Sequence, residues 1–284
     1  MNSVEKEAWD DIIGPQRGLL DLKIGEIWNH RDLLFMFIWR DFKTAYKQTA
    51  LGFLWVVLQP VLMMAVYIVV FSRIARIPTE GVPPAVFFLC GITLWNYFTH
   101  CLNRTANTFV QNSNIFGKIY FPRLITPLSK TLSGLINLSV QFALLIAVIL
   151  YFVYTGQGIH MTGYLLMVPV LVILTGCLGL GTGLIISSLT VTYRDLMFVV
   201  SFGVQLLMFA SAVFYPVSII PEDYRSFILW NPMVHILEAF RYAMVGAGAH
   251  SLTGLLYAST FAFVTLFSGV VIFNRVEQTF IDSV

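Results

Sequence analysis

From residue 131 the chain reads TLSGLINLSVQFALLIAVILYFVYTGQGIHMTGYLLMVPVLVILTGCLGLGTGLIISSLTVTY to residue 193, and between Lys130 and Arg194 there is no Asp, Glu, Lys or Arg. About 20 apolar residues carry an α-helix across a hydrocarbon core of roughly 30 Å. The run is too long for one helix, and it breaks at residues 155–163, TGQGIHMTG. It therefore predicts two membrane spans, 131–154 and 164–190, joined by a tight turn. Working outward, residues 51–71 carry no charge and lie between Lys47 and Arg73, and a second span is predicted over 85–103. Further candidates fall at 197–215 and 251–273. Six transmembrane helices are predicted in an all-α integral membrane protein.

Composition supports this class. Of 284 residues, 57% are hydrophobic and 11% are charged, against about 25% charged in a soluble domain. The mean hydropathy is +0.78. So much apolar surface cannot be hidden inside a soluble fold of this length, which excludes a soluble enzyme or a nucleic-acid binder. The net charge of +2 is uninformative beside the distribution of the basic residues. Of 17 Lys and Arg, thirteen fall on one side of the predicted spans: Lys6, Arg17, Lys23, Arg31, Arg40, Lys43, Lys47, Arg104, Lys118, Arg123, Lys130, Arg194 and Arg275. The remaining four are Arg73, Arg76, Arg225 and Arg241. The positive-inside rule then puts both termini in the cytoplasm, as an even number of spans requires. The N-terminal sequence MNSVEKEAWDD is acidic and has no basic-then-apolar order, so a cleaved signal peptide is not expected. The whole chain, 1–284, reads as one transmembrane domain. Residues 1–50 form a cytoplasmic tail and interfacial helix, 51–273 the bundle, and 274–284 a second cytoplasmic tail.

Two apolar stretches do not fit as spans. In Glu26–Lys47, helical spacing aligns Asn29, Asp32, Arg40, Lys43 and Lys47 opposite Ile27, Leu34, Phe35, Ile38, Phe42 and Tyr46. That pattern predicts an amphipathic helix in the membrane interface, or else a helix packed under the spans. Residues 216–248 carry Glu222, Asp223, Arg225, Glu238 and Arg241 and are cut by Pro216, Pro221 and Pro232. They predict short re-entrant or surface helices on the outer face, since irregular backbone at membrane depth must be covered by protein or line a cavity.

Little in the chain suggests bond-making chemistry. There is no phosphate-cradling GxxxxGK[ST] loop, the five histidines are scattered, and no HExxH or paired carboxylate falls in a span. No catalytic or metal-ligating residue is expected. Cys90, Cys101 and Cys177 sit in apolar runs without metal spacing and read as buried thiols. Gly179, Gly181 and Gly183 lie inside an apolar helix, where small residues allow close packing. Polar stripes carry more meaning. Ser133, Asn137 and Gln141 recur at i, i+4, i+8 on the third span, consistent with hydrogen bonds between helices or with a lining. Trp55, Gln59, Met63 and Tyr67 share one face of the first span, and Phe198, Phe202, Gln205 and Phe209 share one of the fifth. Flat aromatic faces with amides suit sugar rings, and packing alone needs no glutamine. Between spans two and three, Gln111–Arg123 mixes polar groups with Ile115, Phe116, Ile119, Tyr120 and Phe121. Such a link is a docking surface for another protein or a helix lying flat on the membrane.

These residues resemble the permeases of type-2 ATP-binding-cassette exporters, in the branch that moves O-antigen, teichoic acid and related polysaccharides. The resemblance spans roughly 26–275. It rests on Tyr46–Trp55 (YKQTALGFLW) with Gln59-Pro60, on Asn112–Arg123 followed by Pro127, and on Tyr193-Arg194-Asp195. Phe214-Tyr215-Pro216 and Asn231–Arg241 (NPMVHILEAFR) complete it. Gly117, Ala212 and Ala239 depart from the family pattern. The resemblance implies a homodimer in the bacterial cytoplasmic (inner) membrane with two copies of a separate ATPase, which would hold the ATP and magnesium; this chain would carry no cofactor. It implies coupling to the ATPase through Asn114, Ile115, Phe116, Lys118, Tyr120 and Arg123. It also implies an outer gate with Tyr215, Pro216, Pro221, Tyr224, Glu238 and Arg241. A lipid-linked glycan, O-antigen foremost, would move along a lining of Trp55, Gln59, Tyr67, Phe198, Phe202, Gln205 and Phe209, with membrane lipids around it and no nucleic acid. Export of teichoic acid, capsule, a lipid or a drug shares the same frame. A polyprenyl-phosphate transferase would need metal-binding Asp pairs, and Glu222-Asp223, beside Arg225, lacks that spacing.

Overall fold

A computed structural model describes residues 24–47, 52, 54–109, 111, 121–156, 163–193, 195–248 and 251–282. The described chain is all-helical. Two short helices, α1 (Ile24–Asn29) and α2 (Arg31–Tyr46), precede the bundle. Five helices are long and apolar enough to cross a membrane: α3 (Leu54–Ile74), α4 (Pro84–Ala106), α5 (Ile125–Tyr154), α6 (Val168–Thr190, led by a 3-10 turn from Gly163) and α10 (Leu252–Asp282). Shorter helices α7 (Leu196–Phe209), α8 (Glu222–Leu229) and α9 (Pro232–Val245) lie between the last two.

The predicted span 197–215 is split. Helix α7 has 14 residues, or about 21 Å at 1.5 Å per residue, and stops at Phe209. Residues 210–215 then fold as a turn in which Ala212 takes φ 54°. Other boundaries move less. Helix α5 starts at Ile125, ahead of Lys130, whose ammonium has an ion-pair partner in Asp41 at 2.7 Å. Helix α10 continues past Phe273 to Asp282, so most of the segment read as a C-terminal tail is helical. Residues 216–248 do fold as a pair of short helices, α8 and α9. The tight turn predicted within 155–163 is described only at its two ends.

Helix α6 is the centre of the bundle, with α4 on one side and α10 on another. Its glycines explain the closeness. A Cβ on Gly181 would lie 2.6 Å from the Leu266 backbone nitrogen of α10, and one on Gly269 would lie 2.6 Å from the Gly181 carbonyl oxygen. Any side chain at either position would push the two helices apart. The main apolar core joins α4, α6, α9 and α10 through Leu89, Leu94, Leu171, Ile236, Phe240 and Leu255.

The helix predicted over Glu26–Lys47 is divided at His30 into α1 and α2, and its predicted faces are corrected. Ile27, Leu33 and Leu34 join buried Phe37 in a cluster with Phe109, Phe121, Ile125 and Phe273. Phe35, expected on the same side as Leu34, instead points outward with Trp28, Met36 and Trp39. Apolar residues occupy both sides of the helix. One side fastens it to the bundle, and the other is left for a different apolar environment.

Candidate functional site

The sequence grouped Trp55 and Gln59 with the aromatic face of the fifth span. In the structure these two residues face a different partner. They line a cavity of about 580 Å³ together with Ser133, Asn137 and Gln141, the stripe of α5. Asp41 and Lys130 close its base, where the α2 carboxylate meets the ammonium of α5. Arg40 also donates to Asp41, at 3.0 Å from Nη2, and its guanidinium lies over the Phe37 ring. A neighbouring cavity of about 300 Å³ shares Gln59, His100, Arg104, Asn137 and Gln141. Deep in it, Asn96 Nδ2 donates to Gln141 Oε1 across 3.2 Å, an interhelical hydrogen bond between α4 and α5.

The residues that sequence reasoning missed here are Asn96, His100 and Arg104. Their signal was present, because they recur at i, i+4, i+8 along α4 and so share a face. Gly134 makes room for the ring, since a Cβ there would sit 2.8 Å from His100 Cδ2.

Among the described residues the two aromatic stripes meet at the C-terminal ends of α3 and α7. Tyr67 is half-buried and meets Phe214 edge-on with centroids 4.7 Å apart, while Phe71 stacks on the same ring at 4.7 Å. Phe209 reaches Phe214 from the other side at 5.1 Å. Thus Tyr67 and Phe209 are bridged by a residue of the 210–215 turn. Among the described residues Phe198 and Phe202 have no such partner, and they are 82% and 61% exposed. Gln205 is exposed beside them, and no residue of α7 is buried within the single chain.

Above this bridge the predicted gate residues divide into two groups. Arg241 and Glu238 are buried, with Nη1 donating to Glu238 Oε1 at 3.0 Å. Arg241 Nη2 donates to the carbonyls of Ala212 at 2.8 Å and Val213 at 2.7 Å. The same guanidinium lies 4.0 Å from the centre of the Phe87 ring on α4. Asn231 caps α9 by accepting from the Met233 amide and donating to the Ala210 carbonyl. Tyr215 donates its hydroxyl proton to the Phe209 carbonyl at 2.6 Å, and Pro216 is buried. Pro221 and Tyr224, by contrast, are exposed at the start of α8. The arrangement ties the end of α7 to α9 and α4 while leaving α8 open to its surroundings.

Of the predicted coupling residues, Asn114, Ile115, Phe116, Lys118 and Tyr120 lie outside the described residues. Arg123 is buried just before α5. Its neighbour Phe121 meets Phe37 of α2 edge-on at 5.8 Å. The C-terminal end of that segment is therefore packed directly against α2.

This multi-pass helical frame matches a known family. Residues 32–245 fit the family described as ABC-2 type transporter, and the chain belongs to it. It is 28% identical over 264 residues to the O-antigen export system permease protein RfbA of Myxococcus xanthus, covering 92% of this chain and 98% of that one. To the protein of the same name from Klebsiella pneumoniae it is 26% identical over 252 residues, 88% and 94% of the two chains. The polysialic acid transport protein KpsM of Escherichia coli is 27% identical over 247 residues, 86% and 93% of the two chains.

Proposed function

We propose that this chain is the permease subunit of an ATP-driven exporter that carries a lipid-linked polysaccharide, O-antigen foremost, across the bacterial cytoplasmic membrane. Family membership and relatives named for O-antigen export and polysialic acid transport support this reading. The observation that carries it is the uncovered aromatic stripe of α7, with Phe198, Phe202 and Phe209 exposed beside Gln205. A moving polymer needs many weak and interchangeable contacts, and a ring face offers them without a unique hydrogen-bond set.

On this reading two copies of the chain enclose the path, and α7 faces it. The turn at 210–215 completes a sixth crossing, with α8 and α9 as re-entrant gate helices on the outer side and both termini in the cytoplasm. The segment 112–123 seats in a separate ATPase, which holds ATP and magnesium. Packing of Phe121 on Phe37 supports a path from that seat into α2. This chain itself makes and breaks no bonds. Reconstitution tests the reading: vesicles holding the permease and its ATPase should move a polyprenyl-linked glycan across the bilayer when ATP is added. If ATP hydrolysis proceeds and the glycan stays on its original side, the cargo assignment is wrong.

A further inference from the structure

The polar cavity between α2, α3, α4 and α5 is lined differently from the aromatic stripe, and its lining indicates a different ligand. Its two parts, of about 580 and 300 Å³ and sharing lining residues, are of a size that takes a small molecule or a headgroup. Depth can be read along α5. That helix has 30 residues and so is about 45 Å long, against roughly 30 Å of hydrocarbon. Lys130 lies near its start, at interface depth. Gln141 lies about 16 Å further along the axis, inside the apolar layer.

Charge and amides are sorted along this depth. The base holds Lys130 and Arg104, with Asp41 as the facing carboxylate. Asp41 also accepts from Arg40, so its single negative charge is shared among more cations than it can balance. Among the described residues His100 Nε2, buried there, has no hydrogen-bond partner. Further in, Gln59, Asn137 and Gln141 bring amides that both donate and accept. A surplus of cations at the interface calls for an anion, and amides above it suit hydroxyl groups.

We propose that this cavity binds the phosphate-bearing headgroup of a cytoplasmic-leaflet lipid. The phosphate sits against Arg104 and Lys130, and the attached polyol or sugar against Gln59, Asn137 and Gln141. Two lipids share this chemistry, a polyprenyl diphosphate and an anionic glycerophospholipid. The membrane side rests on the orientation proposed above, whereas the binding chemistry does not depend on export.

Native mass spectrometry of the intact permease–ATPase complex tests the site. The probes are undecaprenyl diphosphate, phosphatidylglycerol and diacylglycerol, the last having no phosphate. At least one phosphate lipid should stay bound at concentrations where diacylglycerol does not. Arg104→Gln with Lys130→Gln should weaken that binding about tenfold or more, the loss of one or two charge-assisted contacts. Because Arg104 is exposed, Arg104→Gln alone keeps the fold, and it should weaken binding in the same direction. The lipid held at the lower concentration identifies the source. Equal retention of diacylglycerol, or unchanged binding in both variants, would overturn the proposal. Lost glycan transport with retained lipid binding would instead count against the export reading and leave this site standing.

Discussion

Arg241 donates to the backbone carbonyl of Val213 across 2.7 Å, and so α9 holds the turn that ends α7. The same guanidinium serves Ala212 and Glu238, and all of it is buried. The next residue in that turn, Phe214, is the ring on which Tyr67, Phe71 and Phe209 converge. One side chain thereby holds the turn at which α3, α7 and α9 meet.

Removing that side chain should be costly. Arg241→Met removes the guanidinium that serves one buried carboxylate and two carbonyls, a loss of about 3–5 kcal/mol. The double variant Arg241→Met with Glu238→Leu should lose less, because the buried carboxylate is removed together with its guanidinium. Thermal unfolding of the purified permease in detergent measures both. Equal stability of the single variant and the parent protein would show that the pair holds nothing.

Close packing of α6 on α10 makes a second, sharper contrast. Gly181→Ala places a Cβ against the Leu266 backbone and should destabilise by about 1–3 kcal/mol. Gly203→Ala on α7 meets nothing within 4 Å and should be neutral or stabilise by up to about 1 kcal/mol. The two variants differ only in their surroundings, so a matching response from both would refute the packing argument.

Topology can be read by labelling. In a background lacking Cys90, Cys101 and Cys177, a single cysteine replacing Gln157 should react in intact cells with a membrane-impermeant thiol reagent. One replacing Gln278 should react only after the cells are opened. Labelling of Gln278→Cys from outside would invert the orientation drawn from the basic residues.

The α7 stripe predicts a cooperative loss. Phe202→Ala and Phe209→Ala should each lower glycan export mildly, whereas the pair together should lower it on the order of tenfold at equal membrane abundance. Basal ATP turnover should be unchanged in all three. Phe209→Ala should also lower the unfolding temperature slightly, since it gives up the contact with Phe214, and Phe202→Ala should not. Export at the parental level in the double variant would move the path away from α7.

The membrane class and most of the helices were set by the sequence alone. A charge-free run from residue 131 to 193 suits a bilayer, because its side chains are apolar and a helix satisfies its backbone N–H and C=O groups internally. Helical periodicity likewise put Ser133, Asn137 and Gln141 on one face, and Phe198, Phe202, Gln205 and Phe209 on another. Periodicity says which residues of a helix share a face but not which helix that face meets. Tertiary structure alone decided that Gln59 turns toward Asn137, that Lys130 finds Asp41 on α2, and that Phe214 bridges Tyr67 and Phe209. It also decided where α7 ends. Residues 210–215 are apolar enough to continue a span, yet the turn prevails because Arg241, more than 25 positions on, supplies buried donors for its carbonyls. A hydrogen bond between residues so distant in sequence leaves no local trace in either, which is why only the fold could reveal it.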